Sequence, residues 1–225
     1  MKKTIFIKRF SSWAPGIQSR EEWQQWAENK REISDTEESP ALLWTDPLFR
    51  RRLSQISKMT IETLHKLTPF DDSAKIVFVS LRGELGRQFS INKTLVEDAA
   101  ISPASFSLSV FNAPPALACI ALNLKAGYSA IYPAHRRFHD GFLSTAAPLL
   151  SGSAEDIVLV YADEFVQKEY RQHAKDIMAP LAFAALLNAR GEGEPIDCSV
   201  ENTDLLSPQT FLKKLFSLRN VVYAI

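Results

Sequence analysis

A chain of 225 residues, 46% of them hydrophobic, can bury a full core, so one large domain spanning residues 1–225 is the expectation. Its 26 Lys and Arg balance 26 Asp and Glu, which argues against a general nucleic-acid binder or a polybasic membrane binder. Two cysteines, Cys119 and Cys198, are too few for a disulfide framework and suit a reducing cytoplasm.

The opening Met1-Lys2-Lys3-Thr4-Ile5-Phe6-Ile7 mimics the charged start of a signal peptide, but its apolar run stops at Lys8-Arg9. Residues 3–10 therefore read as a first strand, and no stretch approaches the length of a membrane span. A soluble cytoplasmic protein is expected. Ser19 is the N-cap of a helix carrying Trp23 and Trp26, with Glu22 as its capping-box partner. Residues 28–40 are polar and acidic and read as a surface loop. Asp46-Pro47 opens the clearest helix, with Phe49, Leu53, Ile56, Thr60, Leu64 and Leu67 at helical spacing. Arg50, Arg51 and Lys58 fall largely outside that stripe. An Arg50-Arg51-Arg52 run suits an acidic carrier protein, but a solvated helix face is its default meaning.

Residues 75–81 are a β-branched run short enough for a buried strand, followed by Gly83 and Gly86 in a strand-to-helix turn. No GxxxxGK[ST] phosphate loop exists. A short helix is expected at 92–100 and a long apolar one at 113–125, with Pro114 and Pro115 confined to its start. A strand at 128–133, a helix at 138–150 and a strand at 156–162 complete an α/β layered pattern. Residues 179–188 are helical by propensity. Their place between Pro180 and the Gly191-Glu192-Gly193-Glu194 turn suits instead a strand in a hairpin with 196–200. Ser207 caps a helix at 207–218, and 221–225 is a closing strand.

Several residue sets have the chemistry of a site. His135 and His139 stand four apart beside Asp140, but the glutamate of HExxH is absent, so no metal is expected. Ser109, Ser129, Ser144 and Asp163 supply triad residue types without a GxSxG elbow. Cys119 sits in an apolar helix as a packed thiol.

One passage carries more. Ser102-Pro103-Ala104-Ser105-Phe106, Ser109-Val110-Phe111-Asn112-Ala113 and Leu124-Lys125-Ala126-Gly127-Tyr128-Ser129 run into residues 134–143. Trp23 and Trp26, the run 49–54, the run 79–84 and the run 160–164 precede or follow in order. This series resembles the N-terminal half of β-ketoacyl synthases over residues 1–190, and most specifically over 74–164. The resemblance implies a thiolase-like α/β fold corresponding to one half of a ketosynthase, and favours a strand at 179–188.

In that family a nucleophilic cysteine follows the Gly127 element on a sharp turn. Counting from Gly127 puts Arg136 there, within a residue either way, and arginine is neither nucleophile nor base at neutral pH. The family's two decarboxylating histidines belong to the second half. None of His65, His135, His139 or His173 sits in a Gly-rich pattern like theirs. The resemblance thus implies no catalytic residue, no cofactor and no metal. It implies a non-catalytic, chain-length-factor-like subunit paired with a catalytic ketosynthase in aryl polyene or fatty-acid/polyketide-type elongation. Acyl carrier protein would be met mainly through the ketosynthase. Chain-length factors usually have glutamine in place of the cysteine, so Arg136 departs from them as well. Phe106, Val110, Phe111, Asn112 and Phe138 are the candidates for the acyl tunnel and the subunit contact. The competing expectations are a stand-alone acyl-thioester acyltransferase or hydrolase using His135 or His139, and a scaffold that holds carrier proteins.

Overall fold

The computed structural model describes residues 4–134, 137–172, 178–199 and 201–224 and is built on a seven-stranded mixed sheet. The strands are β1 (Thr4–Trp13), β2 (Lys75–Val79), β3 (Tyr128–Ile131), β4 (Asp156–Asp163), β5 (Leu181–Asn188), β6 (Glu194–Asp197) and β7 (Val222–Tyr223). Their order is β3-β2-β4-β5-β1-β6, with β7 also against β1. The β2–β3, β2–β4 and β1–β7 pairs are parallel; the others are antiparallel. The described helices are α1 (Arg20–Ala27), α2 (Pro47–Arg50), α3 (Gln55–Leu67), α4 (Leu85–Asp98), α5 (Pro103–Ser107), α6 (Ala113–Leu122), α7 (Phe138–Ser151), α8 (Lys168–Arg171) and α9 (Pro208–Ser217).

The period of two along each strand sorts the core into two layers. Val77, Val79, Leu159, Tyr161 and Phe183 join Trp23, Phe142 and Phe211 on the face covered by α1, α7 and α9. Ile76, Phe78, Val158 and Val160 join Ile56, Met59 and Ala118 on the face covered by α3 and α6. Small residues let α3 approach closely: Ala182 and Ala184 lie beneath it, and buried Ser11 donates to the Thr63 carbonyl at 2.6 Å. Among the described residues no helix is long and apolar enough to cross a membrane.

Capping signals translate directly into helix starts. Ser19 and Glu22 form the expected box on α1, and Ser207 begins α9 with Thr210 as its reciprocal partner. The single helix expected from Asp46 is corrected to two. Asp46 caps α2 through the Leu48 and Phe49 amides, both at 2.9 Å, but the chain leaves the helix after Arg50. Ser54 is extended (ψ 171°) and caps α3 instead, while its hydroxyl donates to Glu84 at 2.7 Å. The apolar spacing runs in phase across the break, so periodicity alone shows one helix. Helix α4 also begins at Leu85, well before the expected 92, and α5 has no apolar period to announce it.

Residues 181–188 are a strand despite their helical propensity, because every one is buried by neighbours on both sheet faces. Their expected hairpin with 196–200 is not formed. Strand β6 pairs with β1, which lies between it and β5. Segment 189–193 carries the chain from one side of β1 to the other, and Gly193 makes the crossing sterically feasible. A Cβ there would sit 2.0 Å from the Ile7 carbonyl oxygen, and its φ is +98°. Gly193→Ala is expected to cost about 1–3 kcal/mol, seen as a lower melting temperature with unchanged secondary structure.

Candidate functional site

The 102–112 passage lies on the flank of the sheet nearest β3. Ser102 caps α5, which holds Phe106 59% exposed, and Val110 beyond it is 45% exposed. Phe111 turns inward. Its ring centroid is 6.0 Å from those of Phe78 and Tyr132, edge-on to both. Gly83 (φ +64°) seats the ring, because a Cβ there would meet Phe111 Cδ2 at 2.6 Å. Asn112 Nδ2 donates to Tyr128 Oη at 3.2 Å and ties the passage to β3. Phe138 lies elsewhere, 1% exposed on the opposite face, with its ring 5.5–6.2 Å from those of Phe142, Tyr161, Phe183 and Phe211. The structure therefore brings Phe111 and Asn112 to β3, presents Phe106 and Val110 to solvent, and sets Phe138 in a separate layer.

Arg136, His135 and His173 lie outside the described residues. Next in sequence to Arg136, Arg137 forms a two-point ion pair with Asp140 at 3.0 and 3.2 Å, and His139 Nε2 stands 3.2 Å from the Ser199 carbonyl. Among the described residues no three His, Cys, Asp or Glu side chains are grouped to hold a metal. The Ser109 and Ser144 hydroxyls donate to the Phe106 and Asp140 carbonyls, and Asp163 is taken by Ser80 and Tyr161. No hydrogen bond among the described residues joins those serines to a histidine.

On this flank β3 ends the sheet, without a partner strand on its outer edge among the described residues. Helix α4 has no buried residue, and Val96 is 86% exposed. Ile120 on α6 is 70% exposed, and Leu95, Ile101 and Tyr132 are exposed as well. An open sheet edge flanked by apolar side chains is the signature of a surface that meets another chain.

Three buried carboxylates stand at the ends of β2 and β4; the sequence offered Asp163 as a triad residue type, and Glu84 and Glu164 only as parts of the runs 79–84 and 160–164. Asp163 accepts from Ser80 Oγ (2.7 Å), the Leu81 and Arg82 amides (3.0 and 3.1 Å) and Tyr161 Oη (2.6 Å), and so fixes the turn leading to Gly83. Glu84 accepts from Ser54 and Ser57, both at 2.7 Å, and burial raises its pKa against those bonds. Glu164 accepts from the Gly86 amide (2.6 Å) and the Ile56 amide (3.3 Å), the first turns of α4 and α3. Burial, then the neighbouring Glu84, push Glu164 up to about 8, outweighing those two amides.

The folded chain thus holds a proton that an unfolded glutamate, with a pKa of about 4.3, releases. That contribution is complete below the unfolded value and is lost as pH rises through about 8. The melting temperature is expected to fall between pH 6 and pH 9, and Glu164→Gln to flatten the fall. An identical slope in the variant would show that Glu164 is not its source.

A mixed sheet between two helical layers, with its first strand beside β5 inside the sheet and parallel strands at one edge, is a thiolase-like α/β fold. The family described as beta-ketoacyl synthase, N-terminal domain, matches residues 23–214, and the chain belongs to that family. Solved structures agree on the fold. One is a ketosynthase (ApeO) in complex with its chain length factor (ApeC) from Xenorhabdus doucetiae, with 24% identity and a TM-score of 0.69 over 83% of this chain and 79% of that one. Another is the ishigamide ketosynthase/chain length factor, with 12% identity and a TM-score of 0.64 over 85% and 63%. A third is a type II PKS acyl-carrier protein in complex with its ketosynthase, with 13% identity and a TM-score of 0.64 over 85% and 65%. No curated protein matches the sequence.

Proposed function

We propose that this chain is a non-catalytic, chain-length-factor-like subunit. It pairs with a catalytic ketosynthase in the cytoplasm, in aryl polyene or fatty-acid/polyketide-type elongation, and shapes the acyl tunnel as a single domain over residues 1–225. The observation that carries this reading is the open β3 edge beside exposed Phe106, Val110 and Ile120. An apolar sheet edge of this kind matches the large interfaces of obligate partners. The solved relatives named as a ketosynthase with its chain length factor lend support. In this reading the partner supplies the thiolate, the decarboxylating histidines and the main contact with acyl carrier protein, while counting along the sequence from Gly127 puts Arg136, within a residue either way, where the family has its nucleophile. Co-expression with the ketosynthase of its own pathway tests the pairing. A stable heterodimer that co-elutes is expected, together with poor behaviour of the chain alone. A well-folded monomer at micromolar concentration that ignores that ketosynthase overturns it.

The same reading forbids an acyl-enzyme on this chain. Burial raises the Cys119 thiol and pushes Cys198 up to about 11, so neither is a ready thiolate at neutral pH. Incubation with acyl-carrier thioesters is expected to leave the intact mass unchanged. Acylation at either cysteine that is needed for turnover contradicts the non-catalytic assignment and favours the stand-alone acyltransferase.

A further inference from the structure

Residues 42–45 form a tight turn with two large apolar side chains at its tip. The Thr45 amide donates to the Leu42 carbonyl at 3.0 Å and the Thr45 hydroxyl to the same oxygen at 2.8 Å, which leaves Leu43 and Trp44 as the central residues. Such positions ordinarily hold Gly, Pro, Asn, Asp or Ser. Here Leu43 is 80% exposed, and Trp44 is the one tryptophan of four outside the core, at 42%. Arg50 Nη1 donates to the Leu42 and Thr45 carbonyls at 3.0 and 3.4 Å, so the tip is fixed to α2 before anything meets it. The Trp44 ring also stacks on His65 in the last turn of α3, with 4.1 Å between centroids.

Helix α2 extends the same surface. Helical bonding continues past Arg50, since the Arg51 and Arg52 amides donate to the Pro47 and Phe49 carbonyls at 3.2 and 3.1 Å. Leu48, Arg51 and Arg52 therefore share a side, at spacings of three and four, and all are exposed, Leu48 at 65%. Phe49 and Leu53 turn instead to the core. The chain is neutral overall but not here: residues 41–52 carry three arginines against Asp46 alone. Asp46 is committed, its Oδ1 taken by the Leu48 and Phe49 amides. Trp44 anchors the tip on α3, which packs on β1, β4 and β5, whereas the edge given to the ketosynthase is β3.

We propose that this surface docks the chain onto an anionic phospholipid bilayer, with Leu43, Trp44 and Leu48 entering the headgroup boundary and Arg51 and Arg52 on lipid phosphates. Leu43 projects from the surface instead of lining a groove, and a rigid projecting Leu-Trp pair suits a partner that yields around it. Tryptophan is at home at the headgroup boundary, since its ring is apolar and its N–H polar. The two leucines leave water for acyl chain, and each arginine near an anionic bilayer strengthens binding about five-fold. An acidic protein satisfies the arginines equally well but gives the projecting leucines no such exit from water.

Flotation of the full chain with vesicles containing phosphatidylglycerol tests the surface, and pure phosphatidylcholine vesicles are the neutral control. Only vesicle-bound protein rises, so aggregates of the unpaired chain do not score. Binding to the anionic vesicles that weakens with added salt is expected. Brominated acyl chains are expected to quench Trp44 and to spare the buried Trp13, Trp23 and Trp26. Leu43→Ser with Leu48→Ser, at positions too exposed to disturb the fold, is expected to weaken binding at least ten-fold. Arg51→Gln with Arg52→Gln is expected to weaken it about 25-fold. No flotation, equal binding to both vesicle types, or binding that either double variant leaves unchanged overturns the proposal. So does acyl carrier protein that shifts the Trp44 emission where vesicles do not, which assigns the tip to an acidic protein. Lipid-free dimers that the leucine variant dissolves overturn it as well, in favour of a second copy of this chain. None of these outcomes involves the β3 edge, so the docking and the pairing stand or fall separately.

Discussion

Ile120→Glu is expected to abolish the complex with the ketosynthase while leaving this subunit folded. Ile120 is 70% exposed on the outer side of α6, so in the isolated chain the substitution places a carboxylate in water at little cost. In a heterodimer that covers this flank the same carboxylate is buried against apolar groups with no cation provided for it. The loss of a packed anchor plus an unpaired charge costs about 2–4 kcal/mol, or roughly 30- to 1,000-fold in Kd. Leu206→Glu is the control. Leu206 is equally open to solvent but follows the 3-10 turn Thr203–Leu205 beside α7 and α9, away from β3. It is expected to leave co-elution unchanged. A complex that survives Ile120→Glu with its affinity intact places the ketosynthase on a different surface.

How much of this was legible in the sequence depends on whether the signal is local. Ser19 with Glu22 and Ser207 with Pro208 are complete within one turn, and both helices start where those residues say. The strand runs of β2 and β4 were legible for the same reason. The break between α2 and α3 was masked, because the apolar spacing runs in phase across it and Ser54, whose side chain caps α3 at the Ser57 amide, also bonds Glu84 from 30 residues away. The pairing of β6 was hidden likewise: a strand of four residues names no partner, and only the passage past Ile7 at Gly193 decides it. Glu84 and Glu164 are ordinary acids in the sequence and become a coupled pair only when the ends of β2 and β4 meet. The passage 102–112 was found through family pattern, but pattern alone gave Phe106, Val110, Phe111 and Phe138 one shared role. Burial and ring contacts separate them.

Phe111 is the residue of that group on which the tunnel proposal can be tested most sharply. Its ring stands between Phe78 and Tyr132 and rests on Gly83, at the place where the core meets the flank assigned to the ketosynthase. A ring there can close the far end of an acyl cavity by exclusion, since it fills the space of several methylenes. Phe111→Ala removes that volume. A fully buried ring costs about 3–5 kcal/mol on truncation, and Phe111, which is only partly buried, is expected to cost less, so the heterodimer should survive. Its products should then lengthen, because the barrier has receded. Gly83→Ala acts on the same ring from below: a Cβ at 2.6 Å from Cδ2 forces it to move while keeping its volume. That variant should change product length without the longer chains of Phe111→Ala. Packing alone makes a different forecast, in which both variants melt earlier and yield the same products more slowly. Product lengths by mass spectrometry beside melting curves of the complex separate the two, and unchanged lengths with a large drop in melting temperature remove Phe111 from the tunnel.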